Sequence, residues 1–472
     1  MKLSTFSAFN SRNYRLYFYG QSVSLIGTWM QRTAVSWVVY TMTHSAFMLG
    51  LTLFAGQFPS FLLSLFGGVV SDRYDRFKVL LFTQVASLVQ ALLLATLILL
   101  QHYTVWEILV LSIMLGCINA FDVPARQSLV YEMVNNKDDL PNALALNSSM
   151  VNLARLIGPA ISGLVLENLG GGVCFLLNAA SFLAVIGSLL LMKLPAYVAG
   201  PRDKRPMRDM REGISYLKHT PSIAKVILML AAMSLLVIPY ATLLPVYAKT
   251  IFKGSASTFG YINSFIGMGA VSGALFLASQ SSGGTDRGRK RILLVNTLIF
   301  GAGLALFAYT TWFPLAMLFA VMCGFGMMAQ TTIINTIIQT TVDPAMRGRV
   351  ISFFAMAFFG MQPLGSLLVG GVSQYIGAQA TILAEGIAAG VIVILFWSFL
   401  TKKDPSAGPG QQLSDAETMS LTAMAAQPAS PVTDAASPNA NASPGIANAG
   451  SANASTGVAA PASANPHITH SI

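Results

Sequence analysis

Four ionisable side chains stand in, or at the edge of, long apolar stretches: Arg32, Arg155, Glu385 and Asp122. A charge surrounded by hydrocarbon is costly unless it faces water or a partner, so each is a candidate for holding an anion, pairing internally or carrying a proton. Arg32 comes about 16 residues after its stretch begins at Leu16, roughly 24 Å along a helix, where snorkelling to either surface is awkward. Arg155 lies near the middle of its own stretch and Glu385 well inside another. Asp122 closes a stretch four residues before Arg126, a spacing at which the two can pair along a helix. As carboxylates placed to titrate, Asp122 ranks first and Glu385 second. Gln31 and Asn119 are uncharged polar residues at similar depth, fit either to line a path or to bridge helices. Enzyme chemistry here would need clustered His, Asp or Cys, and the apolar stretches hold none. Cys117, Cys174 and Cys323 are isolated, without metal spacing, and read as small core residues. No cofactor and no metal site is expected.

The elements that must position these residues follow from composition. Hydrophobic residues make up 54% of the 472 and charged ones only 10%, with a mean hydropathy of +0.63. A large soluble protein covers itself with charge, and this chain has too little to do so. With about 20 residues as the unit, roughly twelve spans can be marked. They run at about Leu16–Met42, Phe47–Val70, Val79–Leu100, Trp106–Phe121, Asn142–Leu166 and Val173–Met192, then Ile223–Tyr247, Phe259–Ala278, Ile292–Tyr309, Pro314–Thr336, Val350–Val372 and Ala378–Leu400. Between the two groups lies a basic segment, Pro195–Pro221. After Lys402 the chain turns to Ala, Ser, Pro, Asn and Gly, a composition that cannot offset its ordering entropy, and it reads as a disordered tail. His467 and His470 sit in that tail and read as no metal site. The division expected is a six-helix half at 1–193, a basic linker at 194–221, a second half at 222–401 and a tail at 402–472. No cleavable signal peptide is evident, because the polar, basic start is followed by a stretch too long for an h-region.

The net charge of +10 invites a nucleic-acid reading, but its distribution speaks for the lipid bilayer as the partner. Counting loops alternately, one side collects Lys2, Arg12, Arg15, Arg73, Arg76, Lys78, Arg126, Lys137, the central linker, Arg287, Arg289, Lys290, Arg291, Arg347, Arg349, Lys402 and Lys403. The other side collects only Lys249 and Lys253. The positive-inside rule then puts both termini and the linker in the cytoplasm. No Gly-x-x-x-x-Gly-Lys-Ser/Thr motif is present, so the chain does not power itself with ATP.

The loop after the second span, Gly67-Gly68-Val69-Val70-Ser71-Asp72-Arg73-Tyr74-Asp75-Arg76-Phe77-Lys78, is echoed after the eighth by Thr285-Asp286-Arg287-Gly288-Arg289-Lys290-Arg291. A second echo pairs Gly163 and Gly170 in the fifth span with Gly370 and Gly377 in the eleventh. The first loop resembles the Gly-x-x-x-Asp-Arg-x-Gly-Arg-Lys/Arg pattern of the major facilitator superfamily, matched by Gly68, Asp72, Arg73, Arg76 and Lys78. Asp75 replaces the family's second glycine and Phe77 a basic residue. Asp286, Arg287 and Arg289 carry the pattern into the second half. Gly20-Gln21 to Met30-Gln31, Asp122-Val123-Pro124-Ala125-Arg126, Leu140-Pro141-Asn142-Ala143 and Arg347-Gly348-Arg349-Val350 resemble the branch of enterobactin exporters and macrolide-efflux proteins. Gly158, Pro159 and Gly163 partly match the fifth-helix signature of the family's antiporters, with Ser162 and Ala154 where glycines are expected.

What the resemblance implies is an all-α membrane protein of about twelve transmembrane helices in two six-helix halves, a monomer in a bacterial-type cytoplasmic membrane. It would work by rocking one half against the other around a midplane site. The implied activity is proton-coupled export of a small amphipathic or anionic organic molecule, siderophore-like or drug-like. In that fold the first and fourth helices line the cavity while the twelfth is peripheral, which makes Arg32 the best-placed group for an anionic substrate and favours a structural pair or an interface position for Glu385. Arg155 would add to the same positive field, unless both arginines pair with carboxylates. A proton-coupled importer, and a non-transporting membrane interaction protein, are the alternatives.

Overall fold

The computed structural model describes residues 4–194, 206–280 and 285–401. The expected tail at 402–472, with His467 and His470, lies outside the described residues, as does the first part of the linker. The first half comprises α1 (Arg12–Thr43), α2 (Ala46–Arg73), α3 (Arg76–Leu99), α4 (Val105–Met133), α5 (Leu140–Leu169) and α6 (Gly171–Leu190). A linker helix α7 (Pro206–His219) follows. The second half holds α8 (Pro221–Leu236), α9 (Leu244–Val246), α10 (Ala256–Gln280), α11 (Asp286–Tyr309), α12 (Phe313–Thr341), α13 (Arg347–Ala355), α14 (Met361–Ile376), α15 (Ala378–Leu395) and α16 (Trp397–Thr401). Among the described residues no strand occurs.

By length and composition 11 helical segments can cross a membrane. α1 is the twelfth long helix, 32 residues and ample for a bilayer, but too polar to qualify on hydropathy. Its packing explains the polarity. α1 lies against α5 and α6 and buries Gln21, Ser24, Gln31 and Thr33. A helix enclosed by its neighbours needs no apolar outer face.

Two expected spans are interrupted. The seventh is α8, a 3-10 turn at Ile238–Leu243, the short α9 and a π turn at Tyr247–Ile251. The eleventh is α13, a π turn at Met356–Gly360 and α14. Pro239 and Pro245 in the first, and Pro363 in the second, each remove a backbone donor and crowd the preceding turn. The fourth span, by contrast, runs on past the expected Phe121 to Met133 with Pro124 inside it. Pro124 cannot bond the Ala120 carbonyl one turn back. That oxygen lies instead over Gly67 of α2, where a Cβ would fall 1.9 Å away. The close approach of α2 to α4 therefore rests on Gly67, whereas the pattern glycine Gly68 has open space around it.

The internal repeat is visible as geometry. Gly170 joins α5 to α6 and Gly377 joins α14 to α15, with φ of 82° and 83°, a left-handed region where glycine carries no steric penalty. The linker, expected to be a polar loop, contains the amphipathic α7. It docks on the second half, with Gly213 under the Phe353 ring, Glu212 paired to Arg349 at 2.8 Å, and the Asp343 N–H donating to the Tyr216 hydroxyl.

Candidate functional site

The halves meet along α2 with α14 and along α5 with α10. Glycines make the contacts nearly backbone on backbone. A Cβ at Gly50 would lie 2.3 Å from the Ser366 carbonyl oxygen, and one at Gly370 2.6 Å from that of Ala46. At the other contact, a Cβ on Gly163 would lie 2.8 Å from the Ala256 oxygen, and one on Gly260 2.6 Å from that of Pro159. Gly163 and Gly370, the echoed glycines, thus occupy equivalent places in the two interfaces. Tyr40 and Thr250 share a 2.8 Å hydrogen bond, Gln374 donates to Ser45 at 2.8 Å, and Trp37 stacks on Phe259. All of these lie toward the end opposite the basic loops.

At the basic end the same faces part. The α5 face that meets α10 at Gly163 and Leu156 continues through Ser149 and Ala145, both exposed. The α2 face that meets α14 at Gly50 continues to Gly68, which is half-buried, with open space where a Cβ would stand. The space between the halves is therefore closed at one end and open toward the basic loops.

At the inner end of this space lies a cationic stack. The Trp29 ring has the Arg32 guanidinium carbon 5.2 Å from its centre and the Arg155 guanidinium carbon also at 5.2 Å. Gly158 makes this possible, since a Cβ there would fall 2.5 Å from the Trp29 Cβ. Arg32 is exposed and Arg155 half-buried, and the Arg155 Nε is buried without a hydrogen-bond partner. Among the described residues no carboxylate pairs with either guanidinium. Cation–π attraction thus holds two like charges on one indole, and among the described residues no carboxylate neutralises them. Tyr240, on the broken seventh span, is buried edge-on against Phe300 at 5.7 Å.

The remaining sequence candidates separate. Gln31 points about 100° away from Arg32 on the helix and is buried. It donates to Gln90 at 3.0 Å and accepts from Asn178 at 2.7 Å, and Gln90 donates on to the Leu111 carbonyl. That amide chain ties α1, α3, α4 and α6 together and stays out of the cavity. Asp122 is also buried, accepting from Thr83 at 2.9 Å and Gln84 at 2.6 Å and pairing with Arg126. Both of its carboxylate oxygens therefore have partners within the first half. Asn119 is half-buried on α4. Glu385 is 3% exposed in the second half, and neither of its carboxyl oxygens has a hydrogen-bond partner.

The two charged loops are tied to the ends of neighbouring helices. Arg76 pairs with Glu132 near the end of α4 and donates from Nε to the Ser71 carbonyl. Asp75 caps α3 by accepting from the Phe77 N–H at 3.0 Å, which accounts for an aspartate where the pattern has glycine. Asp72 is half-buried, while Arg73 and Lys78 are exposed. In the second half Thr285 caps α11, and Arg289 donates to Thr340 near the end of α12 at 2.8 Å. Arg287 is exposed, and the Asp286 side chain lies outside the described residues. Sequence reasoning missed Trp29 and Tyr240. Trp29, three residues before Arg32, was the available signal, since an aromatic one turn from a deep arginine can carry its charge.

Two pseudo-equivalent helical halves, glycine-lined interfaces and paired charged loops define a multi-pass membrane transporter of the major facilitator superfamily. The chain belongs to the transmembrane secretion effector family, whose profile matches residues 3–419. It is 27% identical over 396 residues to the staphyloferrin A transporter of Staphylococcus aureus, covering 82% of this chain and 96% of that protein. It is 24% identical over 361 residues to the multidrug efflux pump Tap of Mycolicibacterium fortuitum, covering 74% and 87%. It is 25% identical over 386 residues to the enterobactin exporter EntS of Shigella boydii, covering 81% and 90%. Among solved structures, the nucleoside transporter NupG superposes with a TM-score of 0.67 at 14% identity, covering 82% of this chain and 98% of that one. A bacterial homologue of the lysosomal transporter Spinster, in an inward-facing and unoccupied conformation, gives 0.62 at 14%, covering 84% and 99%. These structures speak for the fold alone.

Proposed function

We propose that this transporter exports a small anionic, amphipathic organic molecule from the cytoplasm in exchange for protons. The Arg32–Trp29–Arg155 stack carries this reading. It offers two unpaired guanidiniums for a carboxylate, catecholate or sulfonate, and an indole edge for an apolar body. The siderophore and drug exporters among its relatives support the direction and the substrate class. Both termini and α7 face the cytoplasm on this reading, so the open end faces the side from which an exported molecule is loaded. The protein acts as a monomer, because each half supplies one wall of a single path.

Purified protein in proteoliposomes tests this with 5-carboxyfluorescein, a small, anionic, membrane-impermeant dye. The dye crosses in the direction opposite to an imposed proton gradient, and collapsing the gradient stops net movement. Dye movement along the direction of proton flow makes the protein an importer. No movement of this or any aromatic anion, by protein that remains folded, removes the anionic substrate class.

A further inference from the structure

A carboxyl group in the core of the second half is left without any partner. Glu385 on α15 is 3% exposed, and neither oxygen has a hydrogen-bond partner. Among the described residues the ionisable groups near enough for their charged forms to feel it are Tyr240 in the 3-10 turn, Tyr247 in the π turn and Cys323 on α12, and none is a cation. α11 packs against the adjoining Gly386 through Gly301 and Ala305, and the lysine of that helix, Lys290, lies at its far basic end over Phe399. α14 also borders α15, and its one ionisable group, Tyr375, is 90% exposed. An isolated carboxylate in such a place costs far more than a carboxylic acid, so it persists where its proton comes and goes.

Helix register then supplies a path. Cys323 lies against Gly303 and Gly326 against Phe300, so antiparallel packing sets Asn296 of α11 level with Gln330 of α12. Gly386 lies against Gly301 and Ala305, which places Glu385 about one turn beyond Phe300. Tyr240 meets Phe300 edge-on at 5.7 Å and so stands between the two levels. Measured along the helix axes, Glu385, Tyr240 and the shared level of Asn296 and Gln330 follow one another at intervals of about one helical turn. The steps lead toward the basic end. The Asn296 Oδ1 and both amide atoms of Gln330 are also buried without partners. Orphaned polar atoms are rare in native cores, and a row of them across three helices marks a route for water and protons.

We infer that Glu385 is the proton-carrying carboxyl of this transporter, exchanging its proton with the basic side by way of Tyr240, Asn296 and Gln330. This rests on the proton-driven reading above. In the step itself the Glu385 carboxylic acid gives its proton to water, leaving a carboxylate and a hydronium ion that departs along the row. Tyr240 ties the site to transport, because it also answers to Arg155 across the interface.

Infrared difference spectra of the protein in lipid between acidic and alkaline pH test the site without any substrate. The carbonyl band of a protonated, buried carboxylic acid appears in the wild type, vanishes in Glu385→Gln and returns shifted in Glu385→Asp. Melting temperatures of the variants identify any loss that is merely unfolding. In proteoliposomes Glu385→Gln keeps exchange of 5-carboxyfluorescein across equal dye pools and loses the part driven by a proton gradient. A titrating band that survives Glu385→Gln, or gradient-driven transport by that variant at the wild-type rate, overturns the inference. A wild type that moves no dye counts against the proposed substrate class instead, and the spectra still decide the proton site.

Discussion

Replacing Arg32 by glutamine separates a substrate-binding arginine from a structural one. The two guanidinium carbons each sit 5.2 Å from the Trp29 ring centre. They are therefore at most about 10 Å apart, and repel by about 1.7 kcal/mol or more at an effective dielectric near 20. Arg32→Gln relieves that repulsion, so the empty protein should melt at the same temperature or slightly higher. A buried ion pair behaves in the opposite way, since removing one partner typically costs about 3–5 kcal/mol. The bound state is where the loss should fall. A charge-assisted hydrogen bond contributes about 1.5–3 kcal/mol, so naphthalene-2-carboxylate should bind about 30-fold more weakly to the variant. Naphthalene-2-carboxamide, the same shape without the charge, should bind within about twofold of wild type. Arg32→Lys should recover only part of the loss, because an ammonium cannot make the planar two-point contact. Titration calorimetry on purified protein measures all three. Equal weakening of acid and amide would refute the anion site, and a large fall in melting temperature would show that Arg32 has a structural partner.

Gly163→Ala should push the halves apart at the closed end, because the new methyl would meet the Ala256 and Gly260 backbone at 2.8 to 3.1 Å. A cost of about 1–3 kcal/mol to this state should speed labelling by an impermeant maleimide of a cysteine placed at Thr250; an unchanged rate would show the contact is slack. Arg76→Ala should abolish most transport while shifting stability by less than about 1 kcal/mol, since its pair with Glu132 is partly exposed. The charge swap Arg76→Glu with Glu132→Arg should restore transport if the pair, and not the positive charge, is what matters. Reporter fusions after Lys193 should report cytoplasm and one after Lys253 the outside; a cytoplasmic signal after Lys253 would invert the proposed orientation.

The fold was legible because hydrocarbon imposes a simple rule, about 20 apolar residues per crossing. Even α1, which breaks that rule, could be found from its length and its flanking basic residues. The echo of Gly163–Gly170 in Gly370–Gly377 was readable as a repeat, but its purpose was not. Only the packing shows that one glycine of each pair lets the halves touch and the other turns the chain between helices. The breaks in the seventh and eleventh spans were signalled by Pro239, Pro245 and Pro363, yet hydropathy averages over such residues. Direction was the least accessible property. Gln31 and Arg32 are adjacent and equally deep, and nothing in their types says that one faces the core and the other the cavity. Asp122 shows the same limit, since Thr83 and Gln84, which satisfy it, lie on another helix.

Both arginines of the anion site belong to the first half, on α1 and α5, so a bound anion alone gives the second half no reason to move. On the proposed reading, coupling passes through groups of the second half that lie near Arg155; Gly267 of α10 meets its carbonyl oxygen, and Tyr240 lies within reach of its charge. It sits on the 3-10 turn of a span interrupted by two prolines, where the backbone is released from regular helix bonding and a shift costs less than in an intact helix. The same phenol is in electrostatic contact with Glu385. An anion that neutralises Arg155 changes what Tyr240 faces on one side, and a proton leaving Glu385 changes what it faces on the other. The interfaces that must slide in response are lined by glycine and hold few side-chain bonds, so small biases at Tyr240 are enough to redistribute the two orientations. On the proposed reading, a single residue at the break in the seventh span is where substrate and proton meet.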